Sequence, residues 1–181
     1  GWAAVDADRL VHEVIEEERD AIAAAFSAEA ARLGLSLLRD DCSVDRRAVG
    51  RIIFGHPELV ARQEGIVYPG VNARIADFLA ENRRNGRDCL INATLLYKVP
   101  SINLVDAVLF VDAPLVLRFL RAHRRDGLPV SQILSRFQSQ RNLFSQYRKS
   151  AADIKRVWNV GSREALERKL DAFLTSCRLR G

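Results

Sequence analysis

GWAAVDADRL, residues 1–10, decides how the rest of the chain is read. Trp2 to Val5 has the length of a buried β-strand, and Leu10, Val11, Val14 and Ile15 then recur at helical spacing. A strand followed at once by a helix is half of a βαβ unit. In open parallel sheets the side chains at the carboxyl ends of the strands face the ligand crevice, and Asp6 and Asp8 stand there. Asp directly before a helix is also a common N-cap, because its carboxylate accepts backbone N–H bonds. On the residues alone, Asp8 is open to either use.

Further along, the helical pattern continues through EVIEEERDAIAAAF to Gly34, with Glu16, Glu17, Glu18 and Asp20 as a solvated face. Ser43 is placed to cap a helix through VDRRAVGRIIF, and Pro57 suits the first turn of the next. Tyr68-Pro69 is expected to bend the chain before VNARIADFLAENRRNG, which Gly86 ends. Strand signals return at Cys89–Ala93 and Ala107–Val111, short continuous apolar runs of the kind found in parallel strands covered on both faces. Pro114 opens a helix that Asp126-Gly127 stops, and VSQILSRFQSQ forms another. RVWNV supplies a last strand, and Ser162 caps the closing amphipathic helix. The sum is an α/β protein with a parallel sheet of about four strands, a helical insertion after the first strand and a helical arm after the third.

Composition narrows the function classes. With 181 residues, 48% hydrophobic and 28% charged, the chain has globular proportions, and no apolar run approaches the roughly 18 residues that span a bilayer. A membrane role is not expected. Cys42, Cys89 and Cys177 are odd in number and widely spaced, which reads as reduced thiols in a cytoplasmic protein, and His12, His56 and His123 show no metal-ligand spacing. From Leu115 to Arg156 there are ten Lys and Arg against two acidic residues, Asp126 and Asp153. The remainder then holds 18 basic and 21 acidic residues out of totals of 28 and 23. A basic arm on a slightly acidic body suits an anion such as a phosphate ester. Nucleic acid is disfavoured by the lack of aromatic interleaving, since only Phe119, Phe137, Phe144 and Tyr147 are near and most of them fit helix stripes. Phosphate chemistry in such a sheet normally calls for a glycine-rich strand-to-helix loop, yet none of the four lysines follows a glycine and no GxxxxGK[ST] occurs.

Several strings, in order, resemble the dephospho-coenzyme A kinases, P-loop kinases of the nucleoside-monophosphate-kinase-like group. VDADRLVHEVI is similar to that family's second strand and its DAD element, and CSVDRRAVGRIIFGHPELVARQEGIVYPGV to its coenzyme-binding insertion. INATLLYK stands where the family often has a strand ending in Asp-x-Pro-Leu-Leu; LVDAVLFVDAPLVLRFLRAHRRDGLPVSQILSRFQSQ is similar to the next strand and the lid helix, and AADIKRVWNVGSREALERKL to the closing strand and helix. Relative to the family pattern, Asn92 stands for Asp, Thr94 for Pro, Lys98 for an acidic residue and Tyr68 for a frequent His. The family's first strand and P-loop have no counterpart, so the opening residues look like a chain joined at the second strand.

The resemblance implies a three-layer P-loop kinase-like parallel sheet with a helical substrate-binding insertion and a helical lid: core at 1–8, coenzyme-binding insertion at 9–86, core strands at 87–114, lid arm at 115–150, and core strand and last helix at 151–181. It implies transfer of the γ-phosphoryl group of ATP, with Mg2+, to the 3′-hydroxyl of dephospho-CoA in the final step of CoA synthesis, in a monomer or weak homo-oligomer. Because the donor loop is lacking, little activity is expected of the 181 residues by themselves. A coenzyme- or nucleotide-binding relic and a basic nucleic-acid-binding module are the alternatives. By resemblance Asp8 is the catalytic base and Asp6 a structural or magnesium-side carboxylate. Arg121 and Arg125 match the lid arginines, one turn apart and able to face one anion, with a solvated face as the other reading; Arg118, Arg124 and Arg136 are expected in solvent. Arg148 falls near a nucleotide-contacting basic pair. Arg47 and Tyr68 fall in the insertion, as acceptor contacts or as surface and packing residues.

Overall fold

A computed structural model describes residues 2–127, 129–150 and 152–178. The chain divides into two compact units, Gly1–Leu104 and Val105–Gly181.

The first unit begins with β1 (Ala3–Asp6), which passes without a loop into α1 (Ala7–Glu17). Then follow α2 (Arg19–Ala25), α3 (Ser27–Leu33), α4 (Arg46–Ile53), α5 (Pro57–Arg84), β2 (Cys89–Asn92) and two 3-10 stretches, Leu96–Lys98 and Pro100–Leu104. β1 and β2 pair in parallel, from Ala3 opposite Cys89 to Asp6 opposite Asn92. The helices pack around Val14, Ile22, Phe26, Val49, Val71 and Ile75, each 3% exposed or less. Trp2 and Ala4 lie exposed, so the opening strand is covered on one face and not on both. The same holds for β2, where Leu90 is exposed.

Pro69 does not break the chain: it lies inside α5, a single helix of 28 residues. A proline within a helix costs about 3 kcal/mol, whereas each buried apolar side chain contributes roughly 1.5–3 kcal/mol. Val67 before the proline and Val71 and Ile75 after it are all buried, so burial wins. At Gly70 α1 comes close, since a Cβ there would stand 3.0 Å from Cγ1 of Val14. The helix ends as expected, with Gly86 left-handed at φ 61° and the Arg87 N–H closing on the Asn82 carbonyl. The cap of α4 is Asp45 instead of Ser43. Its carboxylate accepts from Arg47 N and Ala48 N, while Ser43 is occupied with the side chain of Asp41.

The second unit holds β3 (Ala107–Asp112), α6 (Leu115–Asp126), α7 (Val130–Ser139), α8 (Leu143–Tyr147), β4 (Asp153–Trp158) and α9 (Arg163–Arg178). β3 and β4 pair in parallel from Ala107 opposite Asp153 to Asp112 opposite Trp158. Phe110 meets Phe144 and Tyr147 edge-on at 5.1 and 5.7 Å, which fastens the short α8 to the sheet. Gly127, at φ 59°, terminates α6, and the Ser162 hydroxyl caps α9 through Ala165 N. The four strands expected from the sequence form, and each pairs in parallel with a neighbour inside its own unit. Apolar runs identify strands but carry no pairing order.

Candidate active site

At the carboxyl end of β1 the two aspartates divide their duties. Asp6 is the N-cap of α1: its Oδ1 accepts from Asp8 N at 2.9 Å and Arg9 N at 3.3 Å. Its Oδ2 accepts from Asn92 Nδ2 at 3.2 Å, across the last register pair of the sheet. The capping reading of Asp8 is therefore corrected, because α1 starts at Ala7 and places Asp8 inside the first turn. Asp8 is exposed, and its carboxylate makes no hydrogen bond or ion pair among the described residues.

Beside Asp8 stands a half-buried polar cluster contributed by α5 and the first 3-10 stretch. Tyr68 donates its hydroxyl to Glu64 Oε1 at 3.3 Å, and Lys98 Nζ makes an ion pair with the same oxygen. Burial above all, then the charge of Glu64 and its hydrogen bond, with Tyr97 and Asp8 adding to it, hold the Tyr68 phenol protonated well above its ordinary range. The positive charge of Lys98 and the neutral hydroxyl of Tyr68 thus converge on one carboxylate. Glu64 was not singled out from the sequence. It sits four residues before Tyr68, the helical spacing that makes the two side chains neighbours.

Arg47 stands elsewhere in the same unit, in an open cavity of about 710 Å³ lined by His12, Arg39, Asp45, Arg46 and Arg47. His12 is the link, one turn beyond Asp8 on α1. The remaining candidates belong to the second unit. Arg121 and Arg125 are exposed on α6, and Arg121 donates to the Asn159 carbonyl at 3.3 Å. Arg148 is the exposed C-cap residue of α8. Arg118 is not in solvent as expected: it is half-buried, 4.7 Å over the Phe137 ring, with Nη2 donating to Gln140 Oε1 at 3.4 Å. Arg124 is exposed, and the side chain of Arg136 falls outside the described residues. Asp112, at the carboxyl end of β3, accepts from Arg156, whose guanidinium stacks on Trp158 at 4.3 Å and Phe144 at 4.7 Å. The sequence offered no signal for that pair beyond an Asp ending an apolar run.

Among the described residues no helix is long and apolar enough to cross a membrane, and no group of three or more His, Cys, Asp or Glu stands together to hold a metal ion. The three cysteines are free.

A family model described as CoaE, dephospho-CoA kinase, matches residues 1–161. A dephospho-CoA kinase of Treponema denticola is 34% identical over 172 residues, covering 94% of this chain and 77% of the relative. One from Treponema pallidum is 30% identical over 176 residues, covering 97% and 83%. Among solved structures, TT1252 from Thermus thermophilus superposes with a TM-score of 0.74 at 26% identity, over 97% of this chain and 85% of that one. The dephospho-CoA kinase of Campylobacter jejuni gives 0.69 at 20% identity, over 98% and 85%, a likeness of fold. The family match spans most of the sequence, as the ordered strings of the resemblance implied, and the chain belongs to the dephospho-CoA kinase family.

Proposed function

We propose that this chain phosphorylates the 3′-hydroxyl of dephospho-CoA at the expense of ATP, giving CoA, with Asp8 as the base. The observation that carries the reading is the division of labour at the end of β1. Asp6 satisfies the helix start, and the carboxylate of Asp8 is exposed with no hydrogen bond or ion pair among the described residues. A general base must be able to reach a substrate proton and must not be held by its own backbone. Asp8 meets both conditions, and it lies on the position that the family resemblance gives to the catalytic aspartate.

In this reading residues 9–86 hold the acceptor, and the arm at 115–150 serves the donor. Transfer of a phosphoryl group spreads negative charge over its oxygens, and cations placed around it lower the barrier. Arg121, Arg125 and Arg148 are the arm's cations for that purpose. Mg2+ accompanies ATP in such reactions and neutralises phosphate charge. Asp6 is already occupied as a cap, and the described residues assemble no carboxylate cluster for the ion. None of them is assigned to it, and no step here depends on it.

The test separates binding from transfer. The 181-residue chain should bind dephospho-CoA in calorimetry yet release little ADP in a coupled assay, because it contains no GxxxxGK[ST] to cradle the donor phosphates. Joined behind a strand and such a loop, it should turn over, and Asp8→Asn should then lower turnover by roughly a hundredfold or more. Binding without turnover in the joined protein favours a coenzyme-binding relic. Wild-type turnover in Asp8→Asn removes Asp8 from the mechanism.

A further inference from the structure

Of the three hydrogen bonds that meet on the carboxylate of Asp6, one is not needed for capping. Asp45 caps α4 with bonds from Arg47 N at 2.9 Å and Ala48 N at 3.1 Å, and its carboxylate has no third hydrogen-bond partner among the described residues. Asp6 makes the same two bonds to the first turn of α1, from Asp8 N at 2.9 Å and Arg9 N at 3.3 Å, and accepts a third from Asn92 Nδ2 at 3.2 Å. We propose that Asn92 is a positioning residue for phosphoryl transfer: by tying the carboxylate of Asp6 to β2, it sets where the first turn of α1 presents Asp8. The inference rests on the reading of Asp8 as the base.

The three bonds are divided between the two oxygens. Both backbone amides donate to Oδ1, whereas Asn92 holds Oδ2 from the neighbouring strand. A carboxylate held at one oxygen can pivot about it, and one held at both cannot. Asp6 and Asn92 are exposed, so water competes for the third bond and its worth in stability is small. What it supplies is direction.

That direction reaches Asp8 because nothing lies between to absorb it. Asp6 is at once the last residue of β1 and the cap of α1, with no loop between strand and helix. The first amides of a helix have no acceptor inside it, so the N–H of Asp8 takes its place from the Asp6 oxygen to which it donates. The side chain of Asp8 adds no restraint of its own, having no hydrogen bond or ion pair among the described residues. For a group that must meet a reacting hydroxyl, a misplacement of about 1 Å can cost a hundredfold in rate.

Two measurements test the role. In the 181-residue chain, NMR follows the amide protons of Asp8 and Arg47, which hold the same position after the caps of α1 and α4. Asn92→Ala should shift the Asp8 amide and speed its exchange about threefold or more, as expected for one exposed hydrogen bond, and leave the Arg47 amide alone. Asn92→Val repeats this with a residue that favours strands, and thermal melting verifies that both variants fold. In the chain joined behind a strand and phosphate loop, Asn92→Ala should lower kcat about threefold or more with KM for dephospho-CoA unchanged. In an Asp8→Asn background it should cost nothing further, because the base whose place it sets is gone. An Asp8 amide indifferent to both substitutions, an equal response at Arg47, an unchanged kcat, or a loss that multiplies with that of Asp8→Asn overturns the positioning role and leaves the kinase reading intact. Wild-type turnover in Asp8→Asn alone, or no turnover in the joined chain, removes the reading of Asp8 as base and the role of Asn92 with it, even where the Asp8 amide has shifted.

Discussion

Replacing Asp6 and Asp8 separately by alanine should give opposite answers about stability, although the two residues are two positions apart and both exposed. Asp6→Ala removes an N-cap with bonds to two backbone amides, at 2.9 and 3.3 Å, and a cross-strand bond from Asn92 at 3.2 Å. The cap is worth about 1 kcal/mol and an exposed hydrogen bond about 0.5 kcal/mol or a little more. The total is about 1.5–2 kcal/mol, which for a chain of 181 residues lowers Tm by roughly 3–8 °C. Asp8→Ala gives up only the attraction of a first-turn carboxylate to the helix dipole, about 0.3–1 kcal/mol. It gains about as much from the higher helix propensity of alanine, so its Tm should stay within about 2 °C of wild type. Melting followed by far-UV circular dichroism reads both. If Asp8→Ala loses as much stability as Asp6→Ala, Asp8 shares the capping role, and the argument that its carboxylate is kept free for a substrate fails.

Two further outcomes are expected. Tyr68 has a folded pKa raised above its unfolded value near 10, so it contributes stability that is full below about pH 10 and is lost as pH climbs from there toward the folded value. Tyr68→Phe should therefore flatten the alkaline decline of Tm, and the difference in 295 nm absorbance titration between the two proteins should show a phenol ionising well above pH 10; a missing transition centred at 10 contradicts the cluster with Glu64. Pro69→Ala restores an N–H to the middle of α5 and should stabilise the protein by about 2 kcal/mol, the interior proline cost less the entropy proline removes from the unfolded chain. A lower Tm in urea-free buffer would mean that α5 uses a kink at Pro69.

What the sequence made legible was punctuation by single residues with one strong conformational habit. Pro57 at a helix start, Gly86 and Gly127 past helix ends and Ser162 as a cap all stand where local chemistry puts them. It was less informative where two neighbouring residues could do the same task. Ser43 and Asp45 both cap well, and only the fold shows that Asp41 has claimed the serine. For Asp8 the sequence left cap and base open, and the direct passage of β1 into α1 decides against the cap. Pro69 misled because its local cost is smaller than the burial on either side of it, a quantity invisible along the chain. The five-residue α8 escaped notice for a related reason, since its stability comes from Phe144 and Tyr147 meeting Phe110 from another element. The candidate site followed the same rule. Asp8, Tyr68 and Arg47 were named from strings, but Glu64, Arg39, Arg46 and His12 became partners only once α1, α4 and α5 were folded together.

The bond from Asn92 to Asp6 also bears on how this sequence can change. Both residues sit at the last register pair of β1 and β2, where side chains of neighbouring strands meet directly. An aspartate at position 92, the residue more usual in the family, would bring a second carboxylate against the first. One of the two would then tend to keep its proton into a higher pH range, and the cap of α1 would become sensitive to acidity. With an amide opposite, Asp6 instead accepts a hydrogen bond from Asn92 while it caps α1. Reverting Asn92 is thus not a free step in sequence space: its effect depends on what stands at position 6, and the two positions are epistatic through a single hydrogen bond.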